Sequence, residues 1–302
     1  MPAVPLTVVL GLLVLAMLWG SAFPLIKVGL EGLSAPSLTL FRFLVASSCF
    51  AAYLYLVRAR LLPDLRDVPF FLLLGFLGIT VYHLALNFGE LFVTAGAASL
   101  IIATAPALSA VVAYFVIGER LRPLGWAGIS IAFGGVALIV LGDDPELGFN
   151  PYALLILLSA VVTAFFAVLQ TRLFDRYRAV EVSGFATWAG TLPLLVFLPA
   201  FPGDVGNAGT APILAAVYIG IFPAAVAYAL FSFALSRAPV TLVTTYLYTV
   251  PLFSLLFSWL LLGEVPSRLT AVGGAAVIAG IATVNRAKLA RRAPGPDKSG
   301  DG

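Results

Sequence analysis

The only imidazole in the chain belongs to His83, and it sits in a short polar run with Tyr82, Asn87 and Glu90. His83, Asn87 and Glu90 recur at i, i+4 and i+7, the spacing that puts side chains on one face of a helix. A second polar face is written at 241–248, where Thr241, Thr244, Thr245 and Tyr248 repeat at i, i+3, i+4 and i+7. The groups on offer are hydroxyls, an imidazole, an amide and aromatic rings. They suit a neutral or zwitterionic solute with an apolar side chain, and aromatic faces can also hold an ammonium group. They do not suit bond breaking, which needs a nucleophile with its base or clustered acid–base groups. One His and one Cys make no metal site, and there is no Gly-Lys-Ser/Thr phosphate loop. We expect no enzyme activity, cofactor or metal.

Apolar residues make up 61% of the chain and charged residues 10%, too few charges to cover a water-soluble surface. The bilayer must be the solvent. Its hydrocarbon core takes ~20 mostly apolar residues per helix. That length predicts an all-α membrane protein of about ten spans, at 6–28, 36–57, 68–90, 94–117, 122–141, 150–170, 181–200, 210–233, 239–262 and 268–286. The alternating strands of a β-barrel are absent from the sequence. The first apolar stretch has no basic residue before it and continues into Pro24 and Lys27, so it reads as a retained span rather than a signal peptide. A lone cysteine, Cys49, excludes intrachain disulfides.

With both termini placed in the cytoplasm, every Lys and Arg except Lys27, Arg42 and Arg268 falls on the cytoplasmic side. That bias is the positive-inside pattern. Arg42 stands just inside the second span. The ending "RAKLARRAPGPDKSGDG" reads as a basic anchor and a disordered cytoplasmic tail over 287–302. Its charges point to membrane lipid, not to nucleic acid.

The phrase "PALSAVVAYFVIGE" at 106–119 returns as "PLFSLLFSWLLLGE" at 251–264, 145 positions on. The same offset pairs Gly75 with Gly220, Gly128 with Gly273, Gly135 with Gly280 and Lys27 with Arg172, without a gap. It also carries His83 and Asn87 onto Tyr228 and Ser232. Five spans fill the interval. Five is odd, so the second copy enters the membrane from the opposite side, as in the inverted repeats of secondary transporters. Pro106 and Pro251 fall mid-span at matching places, where a proline kinks a helix, and are expected hinges. Glu119 and Glu264 close the two phrases, and a loop or cap partner is the expected role of each.

"LWGSAFPLIKVGLEGLSAPSLTLFRFLVAS" at 18–47, with the two Pro…Gly-Glu phrases, resembles the drug/metabolite transporter superfamily in its ten-helix EamA-type branch. The resemblance runs to about residue 286. It implies two inverted five-helix repeats, 1–145 and 146–286, around a central cavity, and export of small metabolites or amino acids. One departure is Ala164-Phe165 in the second half where the first has Trp19-Gly20, which leaves Trp19 without a symmetric partner. Trp19, Tyr82, His83, Asn87, Tyr228, Thr244, Thr245 and Tyr248 are the expected cavity residues. Other readings stand beside this one: Thr hydroxyls can bond their own helix, and His83 can make an interhelical hydrogen bond instead. The expected activity is export of neutral, aromatic or large apolar amino acids across an inner membrane, by a chain sufficient as a monomer. The alternatives are another metabolite or drug, a channel, or a membrane-embedded enzyme.

Overall fold

With so few polar side chains available, each segment must satisfy its own backbone N–H and C=O groups, which an α-helix does alone. The computed structural model describes residues 6–117, 123–142, 150–238, 243 and 246–289, and every regular element among them is helical. In chain order these are α1 (Leu6–Leu30), α2 (Ala35–Leu56), α3 (Leu65–Glu90), α4 (Ala95–Ile102), α5 (Ala105–Ile117) and α6 (Pro123–Gly142). There follow α7 (Ala153–Gln170), α8 (Ala179–Leu194), α9 (Phe201–Asn207), α10 (Thr210–Arg237), α11 (Val250–Leu262) and α12 (Arg268–Leu289). Among the described residues seven helices are long and apolar enough to cross a membrane: α1, α2, α3, α6, α7, α8 and α10. Shorter apolar helical stretches cover Ala95–Ser109, Leu247–Leu262 and Arg268–Val284. Glu119, Thr241, Thr244, Thr245 and the tail beyond residue 289 lie outside the described residues.

Short polar side chains mark the helix ends. The Ser34 hydroxyl accepts the Ser37 N–H at the start of α2, and Thr94 accepts the Ala97 N–H at the start of α4. The Gly-Glu at the end of α11 has a similar logic. Gly263 takes the left-handed conformation (φ 68°), and the Glu264 N–H folds back onto the Ser258 carbonyl, a glycine-terminated helix end. Glu264 then reaches away from its own helix, and its carboxylate accepts the Ala95 N–H at the start of α4 at 3.0 Å. A carboxylate is favoured at that end of a helix by the orphan N–H groups and the dipole.

Glycines set how the helices pack. Gly75 on α3 lies against the Ala186 carbonyl and Gly190 N–H of α8, and Gly220 on α10 lies against the Arg42 carbonyl and Val45 of α2. A Cβ added at Gly128 would stand 2.6 Å from the Gly280 carbonyl oxygen, and one at Gly135 would stand 2.5 Å from that of Gly273. The pairing of 128 with 280 and of 135 with 273 makes α6 and α12 antiparallel neighbours in direct backbone contact.

Two helices contain a wide turn. Phe76–Val81 within α3 and Gly220–Val226 within α10 adopt π-helical geometry. A shift of 145 carries 76–81 onto 221–226, so the wide turns occupy matching places. Such turns loosen the backbone ladder, and both have outside partners. The Thr80 hydroxyl donates to the Gly190 carbonyl at 2.7 Å, and Trp19 Nε1 donates to the Pro223 carbonyl at 3.1 Å.

The expected proline kinks take another form. The span expected at 94–117 is interrupted at Ala103–Thr104, and α5 begins at Ala105, so Pro106 stands in a first helical turn. Pro251 likewise opens α11, after a 3-10 turn at Leu247–Thr249. A proline in the first turn removes an N–H that would have had no partner in any case. The discontinuity therefore lies just before each proline, in the turn that precedes the helix.

Candidate functional site

The discontinuities before Pro106 and Pro251 border a cavity of about 80 Å³ in the middle of the bundle. Its lining comes from both sequence halves: Trp19, Arg42, Tyr82, His83, Ser99 and Pro106 from the first, and Thr163, Phe166, Tyr228, Phe231, Leu247 and Pro251 from the second. Phe23, Ile26 and Leu86 complete an apolar wall. At this size the space suits several water molecules and is far below the ~300–1,000 Å³ of ordinary ligand sites. It is a small cavity.

Aromatic groups dominate one end. Trp19 meets Tyr228 edge to face at 5.7 Å between ring centroids, and meets Phe231 at 5.2 Å. His83 sits 4.4 Å from the ring of Tyr82 and 4.5 Å from that of Phe43. Its Nδ1 lies 3.0 Å from the Ile79 carbonyl oxygen, in the wide turn of α3. A carbonyl can only accept, so Nδ1 carries the proton, and in the neutral ring Nε2 is left as an acceptor. The wide turn thus fixes the histidine's tautomer as well as its orientation.

Of the expected residues, Trp19, Tyr82, His83 and Tyr228 are brought together on this cavity, and Pro106 and Pro251 border it. Asn87 is not. It is fully buried, its Nδ2 donates to the Thr39 hydroxyl on α2 at 2.8 Å, and its Oδ1 has no hydrogen-bond partner among the described residues. The helix face that carries His83 into the cavity has turned past it by one turn. Tyr248 also stands outside the lining and packs against the apolar core. Thr244 and Thr245 lie outside the described residues.

Two charged groups are more deeply placed than sequence reasoning expected. Arg42, counted there only as a charge inside the second span, lines the cavity with 3% of its surface exposed. Its signal was available: an ionisable residue well inside an apolar span is a functional candidate by default. Glu90, on the polar face of His83, is fully buried, and neither carboxylate oxygen has a hydrogen-bond partner among the described residues. It lies within electrostatic reach of Lys27, Glu264 and Arg42.

A bundle of membrane-length helices around a largely apolar cavity with a few polar groups, and with helices broken at its edge, defines the class of membrane solute transporters. The chain belongs to the EamA-like transporter family, in the drug/metabolite transporter superfamily, with residues 6–141 and 150–286 each matching the family. It is similar to the uncharacterized transporter YdfC of Bacillus subtilis (strain 168), 38% identical over 264 residues that cover 87% of this chain and 86% of the relative. It is also similar to a probable terminal-alkyne amino-acid exporter of Streptantibioticus cattleyicolor, 38% identical over 274 residues that cover 91% and 92%. The uncharacterized inner membrane transporter YedA of Escherichia coli (strain K12) is 27% identical over 86% of this chain and 84% of its own. A solved crystal structure shares the fold with a TM-score of 0.67 at 24% identity, over 95% of this chain and 98% of that one.

Proposed function

We propose that this membrane transporter exports neutral amino acids, aromatic or large apolar ones first, by alternating access around the central cavity. The observation that carries the reading is the cavity itself: a tryptophan, two tyrosines and a histidine over an apolar wall, drawn from both halves of the sequence. Such a lining holds an apolar side chain on its walls and satisfies a small polar head with few, fixed groups. The relative named a probable terminal-alkyne amino-acid exporter supports amino acids as the substrate class.

In this reading the shorter apolar helices complete ten spans, arranged as inverted repeats over 1–145 and 146–286, with both termini in the cytoplasm. Support comes from the matched wide turns, the matched breaks before Pro106 and Pro251, and the reciprocal glycine contacts of α6 and α12. The interrupted segments serve as hinges, since a chain without a continuous helical ladder bends at little cost. The small cavity must widen to admit an amino acid, and opening to one side at a time supplies that widening. The positive-inside bias sets the orientation for an inner membrane. One chain completes the cavity.

Counterflow tests the proposal. Proteoliposomes preloaded with unlabelled phenylalanine should accumulate labelled phenylalanine from outside, and other large neutral amino acids should compete. Trp19→Ala or Tyr228→Ala should abolish accumulation in protein that still elutes as a folded species. Absence of counterflow with every amino acid tried, in folded protein, would refute the substrate class.

A further inference from the structure

The cavity holds an incompletely paired cation. Arg42 projects from the N-terminal half of α2 into the same space as Tyr82, His83 and Tyr228. It is nine-tenths or more buried, yet its Nε and Nη1 have no hydrogen-bond partner among the described residues. The guanidinium stacks over its neighbour Phe43, 5.6 Å from the ring centroid, which offsets part of its desolvation. Glu90 lies within electrostatic reach, but its oxygens form no hydrogen bond to the guanidinium. Burying a guanidinium this way is costly unless something completes its donors.

Nε and Nη1 are charged donors without a hydrogen-bond partner among the described residues, on different edges of the guanidinium plane. A carboxylate is the acceptor that charged donors of this kind bind strongly, and an oxygen of it can reach either open edge. The neighbouring groups favour the same occupant. The Nε2 acceptor of His83 can take a proton donor, the phenols of Tyr82 and Tyr228 can donate or accept, and the apolar wall takes a hydrocarbon body. We infer that Arg42 is a carboxylate subsite of the cavity, so that the transported solute carries a free carboxylate attached to an apolar or aromatic body. The inference rests on this cavity being the transport site, and goes beyond it by naming the group that is recognised and the residue that recognises it.

Compounds that differ in one group separate the possibilities. In counterflow of labelled phenylalanine, 3-phenylpropionate, which keeps the carboxylate and lacks the amine, should compete. 2-Phenylethylamine and phenylalaninamide, which lack the carboxylate, should compete at least tenfold more weakly. Arg42→Lys keeps the charge but not the spread of planar donors, and should raise the half-saturation concentration for phenylalanine. Arg42→Gln should raise it roughly tenfold to a hundredfold, the scale of lost hydrogen bonds to a charged group, and should erase the preference for the acid.

A second measurement does not need transport. In detergent, 3-phenylpropionate should raise the unfolding temperature of the wild-type chain while 3-phenylpropionamide should not, and Arg42→Gln should remove the difference. If phenylalanine fails in counterflow but the acid-selective shift remains, the amino-acid reading falls and the carboxylate subsite stands. Equal effects of acid and amide in the wild type, or an acid preference that survives in Arg42→Gln, would overturn the subsite. A wild-type chain that responds to neither compound in either measurement would overturn it too.

Discussion

Asn87 donates from Nδ2 to Thr39 on α2, and 145 positions on, the Ser232 hydroxyl bonds that of Ser183 on α8 at 2.6 Å. Ser232 also donates to Gln170 on α7. Each residue ties a broken-ladder helix to a neighbour in its own half. A polar residue at i+4 from a cavity residue can thus serve the fold alone, and no spacing rule separates the two roles. Interhelical hydrogen bonds of this kind contribute about 1 kcal/mol. Asn87→Ala is therefore expected to lower stability by about that much, seen as a lower unfolding temperature in detergent. The competitor ranking in counterflow should stay unchanged, because Asn87 does not reach the cavity. His83 and Tyr228, the neighbours of these positions, were legible as cavity residues from the same pattern. Arg42 carried a signal that pointed two ways, because a charge in the N-terminal half of an apolar span also reads as a topology signal, and its depth and missing partners distinguish the roles.

Among the elements, the span positions were written plainly in hydropathy, while the breaks in them were not. An apolar run such as 94–117 has the same composition whether it forms one helix or two, and a proline is compatible with a kink or with a fresh first turn. The choice depends on where neighbouring helices can satisfy loose backbone groups, which is a tertiary fact. Glycine behaves similarly. Gly134 and Gly135 are adjacent, yet a Cβ at Gly134 would meet nothing within 4 Å, whereas one at Gly135 would strike the backbone of α12. Gly135→Val is expected to cost at least ~1–3 kcal/mol through overpacking and to reduce folded yield. Gly134→Ala is expected to be neutral or to stabilise by up to about 1 kcal/mol through helix propensity. Parallel unfolding curves of the two variants make the comparison, and an equal loss in both would contradict the packing.

At the scale of the whole molecule, the proposed orientation predicts which positions a membrane-impermeant thiol reagent can reach. In a Cys49→Ser background, Asp144→Cys should label in intact cells, and Lys298→Cys should label only after permeabilisation. The reverse pattern would invert the topology and turn the proposed direction of export around. The Lys and Arg bias is what places the tail inside and leaves the loop of Asp144, which has no Lys or Arg, outside in this proposal.

The glycine contacts of α6 and α12 bear on how motion in this protein could be observed. Backbones that touch at two levels, 128 with 280 and 135 with 273, leave no slack between the helices for sliding or tilting. The expected outcome is that, whatever opens the cavity, this pair travels as one body. A cross-link across it should therefore be silent, leaving counterflow intact, and a spectroscopic label fixed there would serve as the stationary datum against which displacement of every other helix is measured.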